Sequence, residues 1–211
     1  IDYQQDVRIS EDIIKQVSEG YRKIRNTARI LLANLGTPEE DFNPETDMLS
    51  VEELLPIDKW IISQFNSLCD RANKAYNNYE FHIIYHDVHN FCAIDLSKLY
   101  IDISKDRVYV GAKNSKSRRS AQTAMYIVLS GLTRLIAPIL SFTAEEMWQF
   151  MAHTSKDNAQ SVFLNDIPQY SDELAFSYSL LSRGRFPLLY IDRERGNLFL
   201  VFQLFCKKNI S

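Results

Sequence analysis

Residues 79–123 read YEFHIIYHDVHNFCAIDLSKLYIDISKDRVYVGAKNSKSRRSAQT and contain a long helical pattern, a polar turn and the start of another helix. Apolar residues recur at helical spacing from about Phe81 to Ser104, which is typical of a helix with one buried face. The side chains expected inside are Phe81, Tyr85, Val88, Cys92, Leu96, Leu99 and Ile103. A turn at Gly111–Asn114 then leads into a helix expected over 117–137, where Pro138 stops it.

A first helix is expected from Ser10, whose side chain suits an N-cap, to Leu35, where Gly36 and Pro38 form a common stop signal. On a helical wheel its apolar residues fall within an arc of about 100°, which marks an amphipathic helix. They are Ile13, Val17, Tyr21, Ile24, Ala28, Leu31 and Leu35.

A second helix is expected from about Asp58 to Asn77, after an acidic connector over residues 37–53. The segment Thr143–Glu146 has the spacing of a capping box and predicts a shorter helix that runs through Trp148. Helical periods dominate and alternating β-type patterns are scarce. The sequence therefore predicts an all-α, antiparallel helical bundle over residues 1–170.

The last part of the chain, residues 171–211, has a different character. No helical stripe is sustained after Phe176, and this tail is expected to be irregular, either poorly ordered or formed of short strand and coil. Its apolar run over 198–205 is far shorter than the ~20 residues of a membrane-spanning helix, so no membrane partner is expected. The chain opens with Ile1 and no initiator Met, which suggests a piece of a longer protein.

Composition limits the functional classes. The net charge is −3, and residues 1–175 hold 18 Lys and Arg against 25 Asp and Glu. The overall field of the main body repels nucleic acid, so any RNA contact must use a local basic stripe. Three widely separated cysteines, Cys69, Cys92 and Cys206, argue against a zinc ribbon or a disulfide framework and favour a reducing, cytoplasmic setting.

Five short motifs occur in a fixed order within residues 79–123. They are Tyr79-Glu80-Phe81, Asn90-Phe91-Cys92, Asp95-Leu96-Ser97, Lys105-Asp106-Arg107 and Arg118-Arg119-Ser120-Ala121-Gln122-Thr123. In this order they resemble the helical anticodon-binding domain of isoleucyl-tRNA synthetase, a class I aminoacyl-tRNA synthetase. The resemblance covers residues 1–170 and does not extend into the tail.

The resemblance implies that the chain is a carboxyl-terminal fragment of a ligase that joins isoleucine to tRNA(Ile) with ATP and Mg²⁺. Such a fragment would contain no catalytic residue, no metal and no cofactor of its own, and it would be inactive alone. Its implied task is to bind the anticodon stem-loop, with the remainder of the synthetase acting in cis.

The best candidates for RNA contact lie on the first helix. Arg22, Arg25 and Arg29 fall within about 60° of one another beside the apolar arc, and we call these three residues the arginine strip. Lys23 and Asn26 flank the strip and belong to a segment that coincides with one in the family. Guanidinium groups suit phosphate because they bind it through paired hydrogen bonds. The alternative is an exposed face that pairs with acids of a neighbouring helix.

A second basic group surrounds the turn between the third and fourth helices. We call its members the turn cluster: Lys105, Arg107, Arg118 and Arg119. They are candidates for contact with the anticodon stem-loop, and equally for ion pairs with Asp102 and Asp106.

Two further patterns resemble sites. His82, His86 and His89 share one face of the third helix, as zinc ligands can, but no matching pair of ligands occurs on another helix, so we expect no metal. Residues 113–117 read KNSKS and resemble the loop with which class I synthetases hold ATP phosphates. No nucleotide-binding sheet is predicted beside them, and we expect a solvated turn with a helix N-cap.

Two other functional classes stay open. One is a helical bundle that binds a protein partner or links domains without contacting RNA. The other is a metal-binding bundle enzyme built on the three histidines.

Overall fold

The structure is a computed structural model that describes residues 9–176. These residues form six α-helices: α1 Glu11–Leu35, α2 Pro56–Asn77, α3 Phe81–Asn90, α4 Asp102–Tyr109, α5 Lys116–Ile136 and α6 Ser141–Gln149. A π-helical segment, Phe91–Ile101, joins α3 and α4 into one continuous rod. No strand occurs in the described part, and the predicted all-α bundle is confirmed. The predicted tail beyond residue 176 lies outside the described residues.

Helix α1 begins and ends where the sequence predicts. The Ser10 side chain accepts a hydrogen bond from the Ile13 N–H at 3.3 Å, and Gly36 closes the helix with a φ of 65°, a conformation that glycine adopts without steric cost. One predicted core residue is wrong: Val17 is exposed. The first turns of α1 extend past the neighbouring helices, so the apolar arc is covered only from Gly20 onward.

Helix α5 is the centre of the bundle and contacts α1, α2, α4 and α6. Its close contact with α2 depends on Gly131, because a Cβ at this position would lie 2.4 Å from the ring of Phe65. Interior packing of this kind leaves no room for an added methyl group without displacement of its neighbours.

Specific contacts define the directions of the helices. Gly20 of α1 lies beside Tyr85 of α3, and the hydroxyl groups of Tyr21 and Thr143 are 3.0 Å apart. The Tyr76 hydroxyl at the end of α2 donates to the Leu135 carbonyl at the end of α5. Helices α1, α3 and α6 therefore begin at one end of the bundle, where α2 and α5 finish. We call this the α1 N-terminal end.

The start of the rod differs from its prediction. Phe81 is exposed, and Ile84 occupies the interior position instead. Tyr79 has a φ of 60°, and this reversal after α2 places Phe81 against the rings of Tyr76 and Tyr79. Further along, Val88, Cys92 and Leu96 are buried as predicted.

The start of α6 also differs. Its N-cap position is Leu140, and Thr143 lies inside the first turn rather than at a capping box. The predicted cap is wrong because the Thr143 hydroxyl bonds to Tyr21 of α1 instead of to its own helix. The next carboxylate, Glu145, accepts hydrogen bonds from Ser161 and from the Val162 N–H.

The segment after α6 runs back along α2. The Asn66 amide donates to the Ser171 carbonyl and accepts from the Ser171 N–H, at 2.7 and 2.9 Å. Asn73 donates to the Pro168 carbonyl at 2.9 Å. Side-chain amides on α2 thus satisfy backbone groups of an irregular segment that makes few hydrogen bonds of its own.

Candidate nucleic-acid interface

The arginine strip lies on the solvent-facing side of α1. Arg22, Arg25 and Arg29 are all exposed, while Ile24, Ala28 and Leu31 of the same turns are buried against the bundle. The period of α1 therefore separates apolar from cationic side chains as the helical wheel predicts. Lys23 and Asn26 are also exposed and flank the strip on the side of the rod. There the Thr27 and Ser97 hydroxyl groups are 2.8 Å apart.

The three guanidinium groups differ in their partners. Arg25 donates from Nη2 to both carboxylate oxygens of Glu146 at 2.7 Å. Both side chains stay about half exposed, at 50% and 47%, so this pair remains open to water and to competing anions. Arg22 and Arg29 have no ion pair with any residue in 9–176.

The charge of the second part of α1 is opposite to that of the segment that follows it in the chain. Residues 20–36 contain Arg22, Lys23, Arg25 and Arg29 and not one Asp or Glu. Residues 37–58 contain eight Asp and Glu and no Lys or Arg. A molecule with a net acidic charge thus carries a local group of four cations along the middle of α1, and such a group attracts anions.

The turn cluster has a different environment. Arg107 donates to both carboxylate oxygens of Asp58 at 2.8 Å, and the Asp58 side chain is fully buried. Tyr100 and Ser120 also donate to this carboxylate, at 2.7 and 2.5 Å. Asp58 lies at the start of α2, so this network joins α2, the rod and α5. The partner of Arg107 is Asp58 and not the Asp102 or Asp106 of the sequence prediction.

Arg118 and Arg119, in the first turn of α5, hold the acidic connector. Arg118 donates to Asp41 at 2.6 Å, with both side chains four-fifths or more buried. Arg119 is buried and donates to the Asp41 carbonyl at 2.8 Å, and its Nη2 lies 3.3 Å from a carboxylate oxygen of Asp47. These contacts give the connector between α1 and α2 a fixed position on α5.

Lys105 is the exposed member of the turn cluster. Its Nζ lies 2.8 Å from Asp102, one turn earlier on the rod, and both side chains are about half exposed. The interaction with Asp102 also raises the pKa of Lys105. The structure does not bring the turn cluster together with the arginine strip as one uniform basic surface.

The histidine face holds no group of metal ligands. Among the described residues no cluster of three or more His, Cys, Asp or Glu side chains has the geometry to hold a metal ion. His89 stacks on Tyr85, with ring centroids 6.3 Å apart. Burial raises the pKa of the Cys69 and Cys92 thiols to about 12, so neither is a ready source of thiolate.

The KNSKS segment is a turn with a helix N-cap, as predicted. The Ser115 side chain accepts from the Arg118 N–H at 3.3 Å and caps α5. Lys113 donates to the Glu40 carbonyl, and Lys116 lies 3.6 Å from Glu53. No strand of the described part lies beside this turn.

The sequence patterns did not identify the carboxylates that pair with some of the arginines and leave others without an acidic partner. Glu146 follows Arg25 by 121 positions, and Asp58 precedes Arg107 by 49. A fully buried Asp just after the helix-starting Pro56 is not marked by any short-range pattern. Only the isolation of a carboxylate on an otherwise apolar helix face would have singled it out.

The described residues define the class of protein as an all-α helical bundle, and the comparison with known families makes this class more specific. The sequence model of the family described as "Anticodon-binding domain of tRNA ligase" matches residues 58–186, and the chain belongs to this family. The match begins on α2, so the arginine strip precedes the part that defines the family.

The relatives make the comparison more specific. The chain is 54% identical over 173 residues to isoleucine–tRNA ligases of Caldicellulosiruptor saccharolyticus and of Caldicellulosiruptor bescii, and these residues are 82% of the chain. It is 49% identical over 172 residues to the isoleucine–tRNA ligase of a Thermoanaerobacter species. The match spans only 18% of each relative. The resemblance to isoleucyl-tRNA synthetase found in the sequence is confirmed.

No helix among residues 9–176 is both long enough and apolar enough to cross a membrane.

Proposed function

We propose that the chain binds the anticodon stem-loop of tRNA(Ile), as one part of a cytoplasmic isoleucine–tRNA ligase, and that the arginine strip is its main contact with the RNA backbone. The observation that carries the proposal is the exposure of Arg22 and Arg29, whose guanidinium groups have no acidic partner in residues 9–176. Membership in the family of anticodon-binding domains supports tRNA as the ligand.

The strip suits a phosphate backbone for an electrostatic reason. Each guanidinium group that neutralises a phosphate releases condensed counterions, which makes binding favourable at low salt and weak at high salt. A planar guanidinium also offers two parallel N–H donors to one phosphate. Arg25 can join this set because its pair with Glu146 is half exposed, and exchange of a carboxylate for a phosphate costs little there.

Base recognition requires other groups beside the strip. Phosphate contacts position an RNA without reading its sequence, whereas unpaired loop bases are read by hydrogen bonds and stacking. Asn26 is an exposed amide that lies between Arg22 and Arg29 on α1. We propose that Lys23 and Asn26 extend the contact toward the loop, with the amide available for a base edge.

The turn cluster contributes less to this proposal. Arg107, Arg118 and Arg119 hold the fold together through buried or nearly buried carboxylates, and phosphate contact would require these pairs to break. Lys105 is exposed and remains a candidate for a peripheral contact.

The remainder of the ligase would supply the chemistry. We propose that ATP, Mg²⁺ and isoleucine bind elsewhere in the full-length protein, since no strand of the described part lies beside the KNSKS turn. The chain alone should position tRNA without aminoacylating it.

Fluorescence anisotropy with a labelled tRNA(Ile) anticodon stem-loop tests the proposal. The variant Arg22→Gln/Arg25→Gln/Arg29→Gln should bind at least about tenfold more weakly at 0.1 M salt, and its slope of log K against log salt should fall by about 2 to 3. Helicity measured by circular dichroism should not change, because the three side chains lie outside the core.

A matched control removes three exposed lysines from the opposite end of the bundle. Lys113→Gln/Lys116→Gln/Lys156→Gln changes the net charge equally and should weaken binding far less. Equal losses in both variants would mean that net charge alone drives binding, and unchanged affinity in the arginine variant would remove the strip from the interface. An anticodon stem-loop of another amino acid should compete poorly; equal competition would contradict anticodon recognition.

A bundle that binds a protein or links domains is the second candidate function. The observation in its favour is the excess of acidic residues in the main body, since residues 1–175 contain 25 Asp and Glu but only 18 Lys and Arg. Weak stem-loop binding without a steep loss between about 50 and 200 mM salt would support this alternative.

A further inference from the structure

A shallow groove lies between α1 and the rod, next to the arginine strip. Its floor is the contact between Thr27 of α1 and Ser97 of the rod, whose hydroxyl groups are 2.8 Å apart. The axes of helices in direct contact are about 8–10 Å apart, so the side chains on the solvent side of the contact form two facing walls. We call the following four residues the rod groove: Asn26 and Ile30 on α1, and Ile94 and Lys98 on the rod.

The order of residues around each helix places these side chains on the solvent side of the contact. On α1, Ala28 after the contact residue is buried, whereas Asn26 before it is exposed. On the rod the order is reversed, because Leu96 before the contact residue is buried and Lys98 after it is exposed. Asn26 and Lys98 therefore lie on opposite sides of the same opening.

Each wall of the groove exposes an isoleucine. Ile30 lies four positions after Asn26 and is 38% exposed, and Ile94 lies four positions before Lys98 and is 54% exposed. Side chains at this spacing share one face of a helix, so both isoleucines belong to the groove. More than half of Ile94 is left uncovered, and packing within residues 9–176 does not account for its apolar character.

The cation of the rod groove has no carboxylate partner. Lys98 is exposed and forms no ion pair with any residue in 9–176. Residues 88–101 of the rod contain one acid, Asp95, which is only partly exposed. The next acid, Asp102, already lies 2.8 Å from Lys105. With the cations of α1 on the other wall, the groove attracts an anion from both sides.

The backbone of the rod is π-helical over the stretch that carries the groove. This stretch, Phe91–Ile101, contains Ile94, Ser97 and Lys98, whereas the helices before and after it are ordinary α-helices. Turns with i→i+5 hydrogen bonds are rare and occur frequently at functional sites. The rare backbone is an observation independent of charge, and it marks the same part of the rod as a binding surface.

We propose that the rod groove holds one unstacked loop nucleotide of the RNA whose backbone lies on the arginine strip. The base lies against Ile30 and Ile94, and its phosphate accepts a hydrogen bond from Lys98 Nζ. A base turned out of a loop presents apolar faces and a polar edge, which apolar side chains and an amide satisfy together. The isoleucines accept any base, and Asn26 supplies the amide for the base edge. The inference rests on the proposed function and names the part of the RNA that this groove takes.

The fluorescence of 2-aminopurine, placed at each loop position of the tRNA(Ile) anticodon stem-loop in turn, tests the base contact. Binding of the full chain should change the emission most at one position. Ile94→Gln should remove this change and weaken binding about fivefold, the lower end of the range for loss of a stacked base, with an unaltered salt slope. Leu164→Gln replaces an apolar side chain of similar size, 59% exposed, outside the groove and should leave both readouts unchanged.

Lys98→Gln tests the phosphate contact. The slope of log K against log salt should fall by about 1, because one fewer phosphate is neutralised, while the change in 2-aminopurine emission is retained. Lys156→Gln removes one exposed lysine outside the groove and should lower the slope far less. Circular dichroism should be the same for all four variants, because each substituted side chain is exposed.

Other outcomes overturn the proposal. Unchanged affinity of both Ile94→Gln and Lys98→Gln, while the arginine variant loses affinity, would exclude RNA from the groove and leave the proposed function standing. An equal loss by Ile94→Gln toward a duplex of the stem without its loop would place the stem in the groove instead of a loop base. Self-association of the chain that Ile94→Gln abolishes would indicate a second copy as the occupant. No binding of the stem-loop by the unsubstituted chain would overturn the proposed function itself.

Discussion

The arginines of α1 and those around the start of α5 belong to the same residue type but have opposite surroundings. Arg22 and Arg29 extend into solvent without an acidic partner in residues 9–176, whereas Arg107 and Arg118 are largely buried against Asp58 and Asp41. The first pair can exchange water for phosphate at small cost. If Arg107 or Arg118 moved away from its carboxylate, charged groups would remain buried without a partner.

The position of the carboxylates, and not that of the cations, separates the exposed arginines from those of a structural network. Residues 37–58 contain eight acidic residues without a cation among them, and the fold directs several of them onto α5 and the rod. Arg107, Arg118 and Arg119 form ion pairs with this segment. Arg22 and Arg29 on α1 have no acidic partner among residues 9–176.

The largest expected effect is on stability, and it concerns the buried hydrogen-bond network around Asp58. Arg107→Ala should lower the free energy of unfolding by about 3–5 kcal/mol, because it leaves the Asp58 carboxylate buried without its cation. Urea denaturation measures this loss. Lys105→Ala, two positions away and paired at the surface, should leave the stability almost unchanged. Undiminished stability of Arg107→Ala together with weaker stem-loop binding would move Arg107 from the network to the interface.

An intermediate effect is expected for the connector. Arg118→Ala should cost about 1–3 kcal/mol, because Asp41 loses a short, largely buried hydrogen bond. Residues 37–58 contain no Lys or Arg but eight acidic residues, so cleavage by a glutamate-specific protease reports on their release from α5. Cleavage should accelerate in Arg118→Ala but not in Lys116→Ala, whose partner Glu53 is half exposed. The same cleavage rate in both variants would show that Arg118 does not hold the connector.

The smallest effect is expected for the half-exposed ion pair between Arg25 of the arginine strip and Glu146 of α6. Glu146→Gln removes the charge that holds Arg25, and stem-loop affinity should rise by about two- to fivefold, in line with an exposed ion pair of 0.2–1 kcal/mol. Anisotropy at low salt detects this gain. Glu173→Gln makes the same charge change at an exposed position away from α1 and should produce a smaller gain. Weaker binding by Glu146→Gln would mean that the pair orients Arg25 for phosphate rather than competing with it.

Local patterns in the sequence predicted most of the helices correctly. Ser10, Gly36 and Pro138 are strong short-range signals, and the observed bounds of α1, α2 and α5 agree with them to within about two residues, the usual uncertainty of helix ends. The predicted cap at Thr143 failed because this side chain bonds to a distant partner, Tyr21 of α1. The prediction for Phe81 failed for a local reason, because the reversal at Tyr79 turns this ring outward. The π-helical stretch Phe91–Ile101 was also not foreseen, because its apolar spacing is compatible with an ordinary helix.

Sequence patterns were enough to predict the all-α class, the face of α1 that carries cations, and membership in the family of anticodon-binding domains, because helical period, capping and motif order are properties of neighbouring residues. The tertiary structure alone decided which arginines remain exposed. It also decided which apolar residues stay uncovered at the α1 N-terminal end. Both outcomes depend on groups that are tens of positions apart in the chain and meet only when the helices pack.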